Sequence, residues 1–136
     1  RYPNSKIKIY AQDFDLLNIS NASVLSIQED KLPEFFKKYV VKTVKDTYSF
    51  SQDVKDSIQF EYHDCTHNNT NPSVDHIFIR DLLSFISADD MASLLIDMED
   101  NLKGNGTIIV GDNEILADHS KWSENSNDFL TIYSKI

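Results

Sequence analysis

The first strong pattern along the chain is a two-residue alternation. Residues 6–12, "KIKIYAQ", place apolar side chains on every second position and predict a β-strand closed by "DFD". A helix is expected from 15 to 23, with Leu16, Leu17 and Ile19 as apolar contacts and Asp15 as its N-cap. "DKLPEFFKKY" (30–39) predicts a short helix: Pro33 suits a first turn, and Phe35, Phe36 and Tyr39 fall on one side. "YVVKTV" (39–44) and "TYSFSQDV" (47–54) read as a hairpin around "KD", and "SIQFEYH" (57–63) as another alternating strand. After the polar loop 66–73, "VDHIFIRD" (74–81) is apolar on both faces, as a central parallel strand requires.

The clearest helical period lies at 87–102, where Met91, Leu94, Leu95, Met98 and Leu102 recur at helical spacing. Ser87 is its expected cap, with Asp89 and Asp90 in the first turn. "KGNG" (103–106) is expected to stop it, "TIIVGD" (107–112) to form a second buried strand, and "DFLTIYSKI" (128–136) a final one. Strand–helix–strand spacing over 74–112 predicts a parallel α/β sheet, with the earlier hairpin inserted into it. Neither an internal repeat nor a linker interrupts the chain, so residues 1–136 are expected to form a single domain.

Length and composition agree with that. A chain of 136 residues holds one core, and 40% hydrophobic with 26% charged residues is ordinary for a globular protein. The net charge of −9 argues against nucleic acid and anionic membrane surfaces as partners. No run of about 20 apolar residues is present, so no membrane insertion is expected. The start "RYPNSKIKIY" lacks the pattern of a secretory signal, and the single Cys65 fits a reducing compartment; a cytoplasmic location is expected. The absence of an initiator Met suggests a piece of something longer.

Several residues then stand out as candidates for chemistry. Asp13 ends a strand, where an α/β sheet binds ligands, and could accept from a ribose diol; on local sequence alone the default is a cap for the following helix. "HDCTH" alternates His63, Cys65 and His67, but it lacks the spacing and fourth ligand of a zinc site, and no metal is expected. Arg80 and Asp81 follow the central strand and form either a ligand-facing pair or an ion pair holding the strand end. Glu114 follows the next strand and is either at the ligand edge or a loop acid. "GNG" precedes a strand instead of opening a helix, so it is not a dinucleotide loop. Trp122 is expected to pack over the sheet.

Taken in order, four blocks resemble the chemoreceptor methyltransferase family, CheR, over nearly the whole chain. "IYAQDFD" is similar to that family's strand ending in "ASDID". "FFKKYVVKT…TYSFSQDVKDSIQFEYHDC" resembles its "YF…VRVRxELxxxVxFxxxNL", which includes a small β-subdomain, here residues 39–56. "VDHIFIRDLLSFI" is similar to "FDxIFCRNVxIYF", and "NLKGNGTIIVGDNEIL" to "LLKPGGxLFxGHSEN". The resemblance implies a Rossmann-like fold that binds S-adenosylmethionine (SAM) and methylates receptor glutamates. It further implies that Asp13 corresponds to the ribose-binding acid, Asp64 and Cys65 to the pair framing the adenine, and Arg80 to the arginine near the reacting group. Phe85 falls where the family has its active-site Tyr.

The chain also departs from the family. Its first strand and the glycine-rich loop that holds the methionine half of the cofactor have no counterpart here, and the adenine-site Asn is Asp64, which when ionised accepts but does not donate. Each lost polar partner weakens binding by about 1–3 kcal/mol, and about 1.4 kcal/mol is a tenfold change, so three or four losses turn a micromolar site into a millimolar one. The expectation is therefore an incomplete SAM-methyltransferase fold lacking its first strand, with a mostly parallel sheet and an inserted antiparallel β-subdomain. Its function is expected to be non-catalytic and to use no cofactor: a scaffolding module in a chemosensory array, with CheW, CheA or chemoreceptors as partners, and a homodimer. Asp13, Asp64, Cys65, Arg80 and Phe85 are then vestigial positions. The alternative is an active SAM-dependent protein-glutamate O-methyltransferase, and a third reading is a sensor for another small ligand near Asp13, Arg80 and Glu114.

Overall fold

The computed structural model describes residues 6–111, 114–116 and 120–136. They fall into two compact units, one up to Asp64 and one from Cys65 on.

In the first unit, β1 (Ile9–Asp13) leads into α1 (Leu16–Ser23). The Asp15 carboxylate accepts from the Leu17 N–H at 2.8 Å, the cap expected from the sequence. The chain leaves α1 through Leu25, whose φ of 49° is left-handed, and enters a small antiparallel sheet. Its strands are β2 (Ser26–Gln28), β3 (Val40–Lys42) and β4 (Thr47–Phe50), in the order β2-β4-β3. The expected hairpin is therefore present, but β2 extends the subdomain beyond residues 39–56.

Two other expectations are corrected in this unit. The helix expected at 30–39 is instead two 3-10 turns, Glu29–Lys31 and Glu34–Tyr39. Pro33 separates them: it has no N–H to donate, and it drives Leu32 into an extended conformation, ψ 109°. The second hairpin strand ends at Phe50 and gives way to α2 (Gln52–Ser57), because the Ser51 carbonyl accepts from both Val54 and Lys55. The last strand, β5 (Ile58–Tyr62), runs parallel to β1, from Ile9 opposite Ile58 to Asp13 opposite Tyr62. β1 thus finds its partner within the first unit.

The second unit holds β6 (Val74–Ile79), a 3-10 turn at Leu83–Phe85, α3 (Ala88–Asn101) and β7 (Leu102–Gly111). Two further strands, β8 (Trp122–Ser126) and β9 (Leu130–Lys135), complete a sheet of order β6-β7-β9-β8. β6 and β7 are parallel, while β9 and β8 add antiparallel, so among the described residues parallel pairing is confined to β1–β5 and β6–β7. The alternation expected around α3 holds: Met91, Leu94 and Met98 are buried with Ile79, Ile108, Val110, Trp122 and Tyr133. Ser87 Oγ caps α3 by accepting from the Asp90 N–H at 3.2 Å.

"KGNG" does not stop the helix in the expected way. None of the three glycines has a positive φ. Instead, α3 runs straight into β7, whose pairing with β6 jumps from Val74–Leu102 to His76–Thr107. Gly106 is needed at this irregularity, because a Cβ there would lie 2.5 Å from the Leu102 side chain and 2.8 Å from the Asp75 carbonyl. The helix end is neutralised from another strand: the Lys135 ammonium donates to the carbonyls of Glu99 at 2.7 Å and Leu102 at 3.4 Å.

Candidate ligand site at the strand ends

Asp13 sits at the carboxyl end of β1, half-buried. Its carboxylate is turned onto its own chain: Oδ1 accepts from the Asp15 N–H at 2.8 Å and Oδ2 from the Asn18 amide at 3.1 Å. The N-cap of α1 itself is Asp15, and Asp13 braces the turn that leads to it. Asp13 lies at the carboxyl end of its strand, and it organises the turn into α1. The Asp13 carbonyl also accepts from the His63 N–H at 3.0 Å, which ties the ends of β1 and β5 together.

Asp64 and Cys65, the expected adenine frame, are both half-buried and straddle the point where the first unit ends and the second begins. Cys65 packs against the core of the second unit. Among the described residues, no three His, Cys, Asp or Glu side chains converge as a metal site.

In the second unit, β6 delivers Arg80 to the strand end, followed by Asp81 with φ 55°. Asp belongs to the few residue types that tolerate this left-handed conformation. Arg80 is exposed, and so is Phe85, at 81% of its surface. A phenyl ring in this position offers neither a donor nor an acceptor.

Glu114 is the residue whose role the sequence left open, and it faces inward. It is only 7% exposed. One carboxylate oxygen, Oε1, accepts from the N–H groups of Leu82 at 2.9 Å and Leu83 at 3.0 Å. The other, Oε2, accepts from Asp81 at 3.0 Å and Gly111 at 3.3 Å. Burial alone would raise its pKa, but these four backbone donors outweigh burial and hold the carboxyl below its ordinary range. Gly111 makes room for the arrangement: a Cβ there would lie 3.0 Å from Arg80 Nε and 3.0 Å from Glu114 Oε2. The structure thus brings Arg80, Gly111 and Glu114 together in one unit, and Asp13, Asp15 and Asn18 in the other. The only sequence hint to the Glu114 contact was an acid three residues beyond a glycine at a strand end.

These strand ends, with an acid after one parallel strand and Arg-Asp after another, are the features on which the resemblance rested, and a family model tests it directly. The model of the CheR methyltransferase, SAM-binding domain, matches residues 1–130. The chain belongs to that family. No curated protein matches it. Among solved structures, it is similar to the crystal structure of "putative methylase HI0767 from Haemophilus influenzae", with a TM-score of 0.51 and 15% identity over 98% of this chain and 68% of the other. At that identity the likeness concerns the fold, a mixed α/β methyltransferase fold.

Proposed function

We propose that this CheR-family domain is a non-catalytic interaction module that does not hold SAM productively. The observation that carries this reading is the Asp13 carboxylate, whose two oxygens each accept a bond from its own chain and so leave only about two of its four lone-pair positions for a ribose. Two further observations support it. The successive backbone N–H groups of residues 81–83, which would suit an anionic group, are already engaged by Glu114. Phe85 presents a ring without a hydroxyl. A nucleoside with an amino-acid tail needs an acceptor for its ribose and donors for its carboxylate, and both kinds of group are in part engaged within the chain.

The same reading takes the chain as one CheR-like domain. Its role is scaffolding in a chemosensory array, with CheW-type coupling proteins, the CheA kinase or chemoreceptors as partners, and with self-association into a dimer. Titration calorimetry of the chain with SAM and with its demethylated product tests the central point. No heat is expected at micromolar ligand. A micromolar dissociation constant for either compound overturns the reading, and transfer of labelled methyl to receptor glutamates would replace it with the enzymatic alternative.

A further inference from the structure

We propose that Glu114 is the positioning residue of the Arg80–Phe85 loop, an internal anion that fills a backbone nest and so sets where Arg80 and Phe85 point. The inference stands on the geometry of the second unit and does not depend on whether the domain binds a methyl donor.

Three consecutive residues after β6 turn their N–H groups to one side. Asp81 is left-handed at φ 55°, and Leu82 is right-handed at φ −118°, ψ −48°. Successive amides in such a turn form a concavity with partial positive charge that favours an anion. A carboxylate offers about four lone-pair positions. Here all four are used by backbone donors, from Asp81, Leu82, Leu83 and Gly111. Nest and anion come from segments that are distant in sequence, one following β6 and one following β7. The parallel register that sets Ile79 against Val110 brings them side by side.

The arrangement reaches the exposed residues through covalent geometry. Arg80 immediately precedes the nest, and its stem passes over Gly111 beside the Glu114 carboxylate. Phe85 ends the 3-10 turn that starts at the third nest residue, Leu83, and the Phe85 N–H donates to the Leu82 carbonyl at 2.9 Å. Without the carboxylate, the four backbone donors lose their acceptor, and the left-handed φ of Asp81 loses the hydrogen bond that fixes it. The loop then gives up the single conformation that presents Arg80 and Phe85.

Amide hydrogen exchange followed by NMR on the full chain tests this, with Glu114→Ala and Glu114→Gln. In Glu114→Ala the amides of Asp81, Leu82, Leu83 and Gly111 should exchange faster by at least about tenfold each, the loss expected for one hydrogen bond, while Ile108 and Val110 stay protected. Added formate, a carboxylate small enough for the vacated space, should restore protection saturably, and chloride at equal ionic strength should not. Wild-type exchange at the four amides, or equal effects of formate and chloride, overturns the proposal. Should Glu114→Ala fail to fold, Glu114→Gln decides. Its amide has a single acceptor oxygen, so two of the four N–H groups should keep their protection and two lose it. Uniform retention or uniform loss across all four overturns the assignment.

Discussion

Compare α1 and α3. Each starts from a polar cap whose side chain accepts a backbone N–H, Asp15 in the first unit and Ser87 in the second. Each carries apolar residues at helical spacing. Yet α3 buries Met91, Leu94 and Met98, whereas α1 buries no residue, and Leu16 and Leu17 are both 66% exposed. The contrast extends to the whole units. Every buried hydrophobic side chain among the described residues lies between Ile79 and Tyr133. The first unit has paired strands and capped ends without a dry interior. A hydrogen bond contributes only about 0.5–1.5 kcal/mol net, whereas a fully buried aliphatic or aromatic side chain contributes about 1.5–3 kcal/mol. Good local structure and good stability are therefore separate achievements, and this chain keeps them in separate regions.

The largest expected effect tests the dry region. Ile108 is fully buried, and Ile108→Ala should lower unfolding stability in urea by about 2–5 kcal/mol. A loss below 1 kcal/mol would mean that the second unit is not the stable one.

Next comes Glu114→Gln, which leaves buried donors short of an acceptor and should cost about 1–3 kcal/mol. Its pH dependence has a definite sign. The folded state holds the Glu114 carboxyl below its ordinary range, so the unfolded state takes up the proton first. The stabilisation is fully present above about pH 4.3, the ordinary glutamate value, and is lost as pH falls through the lower folded value. Wild type should lose stability on that acid limb, and Glu114→Gln should lose less of it. Parallel acid limbs for the two proteins would count against the carboxylate's role.

The paired caps sharpen the comparison further. Ser87→Ala and Asp15→Ala should each cost its helix about 1 kcal/mol. In exchange experiments, Ser87→Ala should accelerate amides throughout the second unit, because α3 is part of its core, and Asp15→Ala should accelerate only those of α1. Global acceleration by both would show that the wet region shares the stability of the dry one. Smallest of all, Leu17→Ala should change urea stability by no more than about 0.5 kcal/mol.

Much of this architecture was readable from residue order, and the reasons differ by element. α3 and β6 were legible because burial imposes a strict period on them. β8 was not, because "WSENS" carries one buried residue, Trp122, in an edge strand whose other positions face water. The two 3-10 turns read as a helix because their aromatic spacing is helical, and only Pro33 betrays the break. "KGNG" reads locally as a helix stop, since glycine in the left-handed conformation is the commonest exit. Its use in a crowded strand irregularity depends on Leu102 and Asp75, which no local rule brings near. At the candidate site, the strand-end positions of Asp13 and Arg80 were legible. The inward turn of Glu114 was not.

By itself, the sequence determined the family, the strand–helix–strand order, both helix caps and the identity of the groups available at the strand ends. These depend on side-chain chemistry and on periods of a few residues, which are written along the chain. Only the tertiary structure decided which apolar faces become dry, where β1 finds its partner, and which donors each carboxylate meets. Those outcomes follow from segments tens of residues apart arriving at van der Waals and hydrogen-bond distance, and that proximity is created by the fold.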